Sequence, residues 1–195
     1  MQDYYDSNAE AFIASTLDVE MSDLYDRFLP LIPPGGRILD AGCGSGRDAL
    51  AFQKLGFQVH AFDASPVPAE RASELLGWEV EVARFEDFRC EQSFDGIWAC
   101  ASLLHVPLVE LFEAIKNLTN CLKDDGRMYV SFKLGDGERL NGSRRFTDMN
   151  SLKFRELLKA APGLVLEDEW TSRDVRPGRA EEQWFNAILK KAGDA

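Results

Sequence analysis

Apolar residues recur along the chain with two periods, one helical and one alternating. Tyr5, Ala9, Phe12 and Ile13 share one helical face; Leu24, Phe28 and Leu31 share another, with Ser22 placed as its cap. Pro33, Pro34, Gly35 and Gly36 close the second of these helices. Residues 37–39 form a first apolar strand that enters a glycine-rich turn. A helix over residues 47–55 follows, bearing Ala49, Leu50, Phe52 and Leu55, with Gly56 as its C-cap. Residues 58–62 form a second strand with Asp63 at its end, and Ser65 and Pro66 open a helix carrying Ala72, Leu75 and Leu76. Alternation over residues 78–84 predicts a third strand, and residues 94–106 a fourth strand with its exit loop. Leu108, Leu111, Phe112, Ile115, Leu118 and Leu122 mark an amphipathic helix over residues 107–122. A turn at Asp125 and Gly126 precedes the fifth strand, residues 127–133. Residues 135–137 read as a loop, and Thr147 or Asp148 caps a helix running to Ala161. Residues 164–170 and 183–189 pair as the last two strands around a long loop. Strands alternating with helices before a terminal strand pair predict an α/β three-layer sandwich. The length of 195 residues fits a single domain, 1–195, without internal repeats.

The turn after the first strand reads Asp40, Ala41, Gly42, Cys43, Gly44, Ser45, Gly46. A strand entering a glycine-rich turn that opens a helix is a nucleotide-binding arrangement. Its glycines let a ligand approach the backbone, and the helix N-terminus offers unpaired N–H groups. The dinucleotide fingerprint requires glycine at the sixth position from Gly42, where Arg47 stands. Asp40 would also repel a pyrophosphate, which argues against an NAD-dependent oxidoreductase. A carboxylate there suits a ligand that carries an ammonium group close to a sulfonium. Asp63 lies 21 residues after Gly42, where an acid accepts hydrogen bonds from ribose hydroxyls; the alternative is a plain helix cap.

With these residues the chain resembles the class I S-adenosylmethionine-dependent methyltransferases. Their first motif, D-x-G-x-G-x-G, stands here as residues 40–46, and their fourth as the run from Phe94 and Asp95 to Leu104 and His105. The resemblance covers almost the whole chain. It implies a seven-stranded, mostly parallel Rossmann-like sheet whose last strand is antiparallel. It implies S-adenosylmethionine as cofactor, with Asp40 on the methionine ammonium, Gly42 and Gly44 giving close backbone approach, and Asp63 with Ala64 at the ribose. Phe85 offers adenine its ring or backbone N–H, or else belongs to the core. Arg84 occupies the position where the family often places an adenine-binding acid. Ala99 and Cys100 are small enough to leave room for the methionine arm and sulfonium, Cys100 as a filler rather than a nucleophile. His105 is either a base or substrate contact, or a residue holding its loop. Residues 1–32 form a helical lid over a core of residues 33–195, and Tyr5 is either a core residue or the lid's catalytic tyrosine. Within the family the chain is similar to bacterial small-molecule methyltransferases of the tellurite-resistance-related type. The implied function is methyl transfer to a small molecule, anionic or a soft thiol or chalcogen nucleophile. The alternative is a cofactor-binding module without turnover, a sensor or a subunit of a complex.

Composition narrows the partners. The formal net charge of −11 argues against nucleic acid. The excess is uneven: residues 1–132 carry a net −12 and residues 133–179 a net +2. Arg144, Arg176 and Arg179, expected in loops of the second region, are candidates to line the acceptor pocket and select an anion. Their alternative is surface pairing with the chain's own acids. The four cysteines, Cys43, Cys90, Cys100 and Cys121, show no C-x-x-C spacing. With only two histidines, neither a metal site nor a disulfide framework is expected. A reduced, cytoplasmic protein without signal peptide or membrane segment is the expectation.

Overall fold

The computed structural model describes residues 8–161, 163–176, 178–179 and 181–193. Tyr5 lies outside the described residues. The elements are α1 (Ala9–Thr16), α2 (Ser22–Phe28), β1 (Arg37–Ala41), α3 (Arg47–Lys54), β2 (Gln58–Asp63), α4 (Pro66–Leu76) and β3 (Glu81–Val82). They continue as β4 (Phe94–Ala99), α5 (Leu108–Asn120), β5 (Leu122–Lys133), β6 (Gly137–Asn141), β7 (Arg144–Asp148), α6 (Ser151–Lys159), β8 (Leu164–Arg173) and β9 (Gln183–Lys191).

Seven strands form one sheet in the order β3-β2-β1-β4-β5-β9-β8. The first five are mutually parallel, and β9 runs antiparallel to both of its neighbours. The chain walks outward from β1 to β3 and then returns to place β4 beside β1. That reversal opens a crevice at the carboxyl ends of β1 and β4, where open α/β sheets bind ligands.

Helices cover both faces because the strands alternate. On β4, Ile97 and Ala99 join the core under α5 and α6, while Trp98 joins Phe28, Phe52 and Tyr129 under α2 and α3. Trp98 stacks on Tyr129 with ring centroids 4.1 Å apart, and Phe52 meets Trp98 edge-on at 5.4 Å. A smaller cluster, with Ala49, Ala69 and Ala72, lets α3 and α4 approach closely.

Several expectations are corrected. The third strand is only Glu81–Val82, because β2 alone borders it and both residues are exposed. The fifth strand begins earlier, at Leu122; pairing with β4 jumps from Leu122 to Arg127, and Asp125 (φ +60°) sits in the intervening bulge. Ser22 opens α2 rather than capping it, with Met21 at the cap position. Leu55, expected on an apolar face, is 61% exposed. The segment after β5 is a two-stranded hairpin, β6–β7, so Arg144 lies in a strand and not a loop. Neither Thr147 nor Asp148 caps α6. Asn150 does so, its Oδ1 accepting the Lys153 N–H at 3.1 Å, while Thr147 donates to the Val106 carbonyl at 2.7 Å. Cys90 and Cys121 form a disulfide across 31 residues of sequence. The Phe94 N–H bonds the Cys121 carbonyl at 2.8 Å, which brings the cysteines together by strand pairing that no local spacing reveals. Among the described residues no helix is long and apolar enough to cross a membrane, and no cluster of potential metal ligands occurs.

Candidate active site

A cavity of about 1310 Å³ opens at the carboxyl ends of β1, β2, β4 and β5. Single-ligand pockets run to roughly 1,000 Å³, so it has room for more than one small molecule. The glycine turn forms one wall. Gly42 has φ +78°, and a Cβ there would stand 2.5 Å from the Cβ of Ser102. Ser102 itself donates to the Ala41 carbonyl at 2.6 Å, locking the exit of β4 onto the turn. Gly46 has φ +75° at the start of α3, and its Cβ would meet that of Ala72 at 3.0 Å.

Two carboxylates flank the turn. Asp63, at the end of β2, accepts the Gly44 N–H and the Ser65 N–H, each at 2.8 Å, which aims it across the glycines. Asp40 is buried at the end of β1 and accepts the Ala49 N–H at 3.1 Å. Burial and the neighbouring Asp48 charge push the Asp40 carboxyl well above the usual carboxylate range. Asp48 takes the opposite course. Burial would raise it, but the Arg47 fork at 2.7 and 2.8 Å, the Tyr25 hydroxyl and the Trp98 Nε1 at 2.8 Å hold it ionised. Arg47 also donates to the Thr16 carbonyl at 3.2 Å, and Thr16 bonds Ser45 at 3.3 Å. These bonds tie α1 to the glycine turn, and residues 15, 16 and 19–24 line the cavity.

Ala64 lines the cavity beside Asp63, and so does Phe85. Phe85 also packs edge-on against Phe62 at 5.3 Å, and its carbonyl accepts the Asn117 side chain at 2.7 Å. Arg84 lines the same wall and pairs with Glu86. Ala99 does not line the cavity: strand alternation turns it into the core beneath α5, where it is fully buried. Cys100 and Ala101 are the small residues that face it. Burial pushes the Cys100 thiol up to about 12, which leaves it protonated. Ala101 holds φ +52°, with its N–H on the Ser131 hydroxyl at 2.8 Å.

The far end of the cavity is cationic. Between residues 133 and 182 its wall carries seven Lys and Arg side chains against four carboxylates. Arg144 and Arg139 both reach over the Phe146 ring, at 5.2 and 4.6 Å. Arg176 forks onto Asp174, and Arg179 pairs with Glu182 at 3.5 Å. The Lys133 ammonium donates to Asp174 at 2.9 Å and sits 3.9 Å from the Trp184 ring centre. His105 also lines the cavity, its Nδ1 2.9 Å from the Arg145 carbonyl.

The site therefore brings together Asp40, Gly42, Gly44, Asp63, Ala64, Phe85, Cys100, His105, Arg144, Arg176 and Arg179 around one space. Sequence reasoning missed the role of Asp48 and its donors. The adjacent Arg47 and Asp48 were visible, but Tyr25 and Trp98, distant in sequence, are what bury the pair.

A family model described as a methyltransferase domain matches residues 13–187. A ubiquinone biosynthesis O-methyltransferase of Xanthomonas campestris pv. campestris is 35% identical over 105 residues, 50% of this chain and 43% of that protein. The chain spans about half the length of the curated relatives it matches. Among solved structures, a TehB-like SAM-dependent methyltransferase from Corynebacterium glutamicum superposes with TM-score 0.72 at 24% identity, covering 97% of each chain. The 1,6-didemethyltoxoflavin-N1-methyltransferase of Burkholderia thailandensis, solved with S-adenosylhomocysteine, gives TM-score 0.68 at 22% identity, covering 98% of this chain and 90% of that one.

Proposed function

The chain belongs to the methyltransferase domain family, and on that premise we propose that it transfers the methyl group of S-adenosylmethionine to a small-molecule acceptor. The observation that carries this reading is the pair of carboxylates, Asp40 and Asp63, set on either side of a glycine turn that lines the cavity. The donor set fits the cofactor. Asp63 accepts from the ribose hydroxyls. Asp40, buried beside Asp48, faces the methionine ammonium, whose charge favours its ionised form. Gly42 and Gly44 leave the backbone open, Ala64 stands beside Asp63, Phe85 borders the adenine, and Cys100 leaves space at the methionine arm. When bound, the cofactor supplies a methyl group made electrophilic by its sulfonium. The chain's own work is alignment and exclusion of water. The segment from residue 8 to residue 32, latched through Thr16 to Arg47 and Ser45, serves as a lid over the core that begins at residue 33.

The acceptor end favours an anion. Its cationic excess runs against the acidic balance of the whole chain, and Arg144, Arg176 and Arg179 all border it. Guanidinium forks suit carboxylates and oxyanions. Calorimetry with S-adenosylmethionine and with S-adenosylhomocysteine tests the reading: both bind with micromolar affinity, and the absence of heat with either rejects it. Arg144→Ala and Arg176→Ala test the acceptor end, since a substrate role lowers turnover and leaves cofactor affinity intact.

A further inference from the structure

Residues 83–93 carry the chain from β3 to β4 without helix or strand, and Arg84, Phe85 and Glu86 near their start line the cavity. Much of what holds this wall comes from α5. The Asn117 side-chain amide donates to the Phe85 carbonyl at 2.7 Å and to the Phe88 carbonyl at 2.9 Å. Cys121 follows four residues later at the C-cap of α5, one turn along the same helix face. From there its disulfide reaches Cys90. The helix thus grips the wall twice, by hydrogen bonds at residues 85 and 88 and by a covalent bond at residue 90. Phe88 adds a ring stacked on Phe62 of β2 at 4.4 Å. Neither Cys90 nor Cys121 lines the cavity, so their bond acts on a ligand only through the wall it fastens. Cys121 is buried, but Cys90 is only half-buried, and Arg89, Glu91 and Gln92 around it are exposed.

We propose that the Cys90–Cys121 disulfide is a redox switch on cofactor affinity: formed, it fastens the Phe85 wall to α5 beside the cofactor site, and reduced by a dithiol it frees that wall, so that the cofactor binds more weakly. This rests on the methyl-transfer reading above, in which Phe85 borders the adenine. The exchange is balanced within its two reactants. One thiolate of the dithiol attacks a sulfur of the pair, the sulfur–sulfur bond breaks, and the other cysteine leaves as a thiolate that takes up a proton. The second thiol of the reductant then displaces the first cysteine, so the protein gains two thiols and the dithiol becomes a cyclic disulfide. With the protein bond broken, two hydrogen bonds and one ring stack are left against local opening of the segment. Linkage makes the effect reciprocal: a bound cofactor protects the disulfide by the factor by which the disulfide favours the cofactor.

The full-length chain is purified in air, and its affinity for S-adenosylhomocysteine is measured by calorimetry before and after dithiothreitol. Thiol titration follows the disulfide and thermal melting follows the fold. The expected result is reduction without unfolding and a Kd that rises about 5-fold or more. Saturating S-adenosylhomocysteine is expected to raise, by the same factor, the ratio of reduced to oxidised dithiothreitol at half-reduction. Cys90→Ser, which cannot form the bond, is expected to bind weakly with and without reductant, which excludes Cys43 and Cys100 at the cavity as the source. Equal affinity of the oxidised and reduced wild type overturns the proposal. So does air-purified protein with four free thiols, a disulfide that yields only when the chain unfolds, or a Cys90→Ser variant that binds as tightly as the oxidised wild type or still responds to reductant. Failure of the oxidised protein to bind S-adenosylhomocysteine fails the methyl-transfer reading instead.

Discussion

Asp63 accepts two backbone N–H groups and borders the cavity, so its loss removes a support of the glycine turn and, on the proposed reading, the contact to the ribose. Charged hydrogen bonds are worth roughly 1.5–3 kcal/mol. Asp63→Ala is expected to weaken S-adenosylhomocysteine binding by about 10- to 100-fold in calorimetry and to lower thermal stability measurably as well. Gly46 carries a different demand, since its left-handed backbone stands against Ala72. Gly46→Ala is expected to cost about 1–2 kcal/mol in urea unfolding, whereas alanine at exposed Gly193, with nothing within 4 Å, is silent. At this scale Asp40, the three glycines and Asp63 were legible because a strand, a turn and a helix start are local. Asp48 was not, because two of its donors, Tyr25 and Trp98, lie 23 and 50 positions away. Ala99 was misread for want of one fact, the face on which the strand points its odd residues.

The hairpin and the β8–β9 loop are the elements that border the cationic end of the cavity, and both hide in the sequence. Four of the five β6 residues are exposed, so no apolar alternation announces a strand. Its turn, Gly142 and Ser143, resembles any loop. The β8–β9 loop is organised by Asp174, which accepts from Lys133, Arg176 and the Trp184 indole. Burial would raise this carboxyl, but the Arg176 and Lys133 donors outweigh it and hold it well below its ordinary 3.8. A depressed carboxylate stabilises the fold above its unfolded pKa, and that contribution is lost as pH falls through the folded one. Asp174→Asn is therefore expected to lower stability at pH 7 and to flatten its decline below about pH 4. Chemical unfolding across pH 2–7 checks both, and an unchanged slope removes Asp174 from the account.

For the molecule as a whole, the order of helices and strands was legible because amphipathic periods and glycine punctuation recur in every unit. The disulfide was not, since only folding brings Cys90 beside Cys121. Thiol titration of the denatured protein is expected to find two reactive thiols, Cys43 and Cys100, without reductant and four after reduction. Four in both conditions rejects the pairing.

The position of β9 bears on how the protein is made. It is the last strand in sequence, yet it sits between β5 and β8, pairing with β5 from Trp184 to Lys190 and with β8 along its whole length. During translation, β5 leaves the ribosome with one edge unpaired, and β8 emerges with no strand of the sheet beside it. β5 waits while residues 134–182, about fifty in all, are added, an interval of roughly 3–10 s at ordinary elongation rates, and β8 waits for residues 174–182. Through that interval the nascent chain presents an open apolar sheet edge, the surface that chaperones cover and that aggregation recruits. Synonymous codons that slow the ribosome over residues 134–182 are thus expected to lower the soluble yield of an unchanged polypeptide. The same codons placed within residues 47–63 leave it intact.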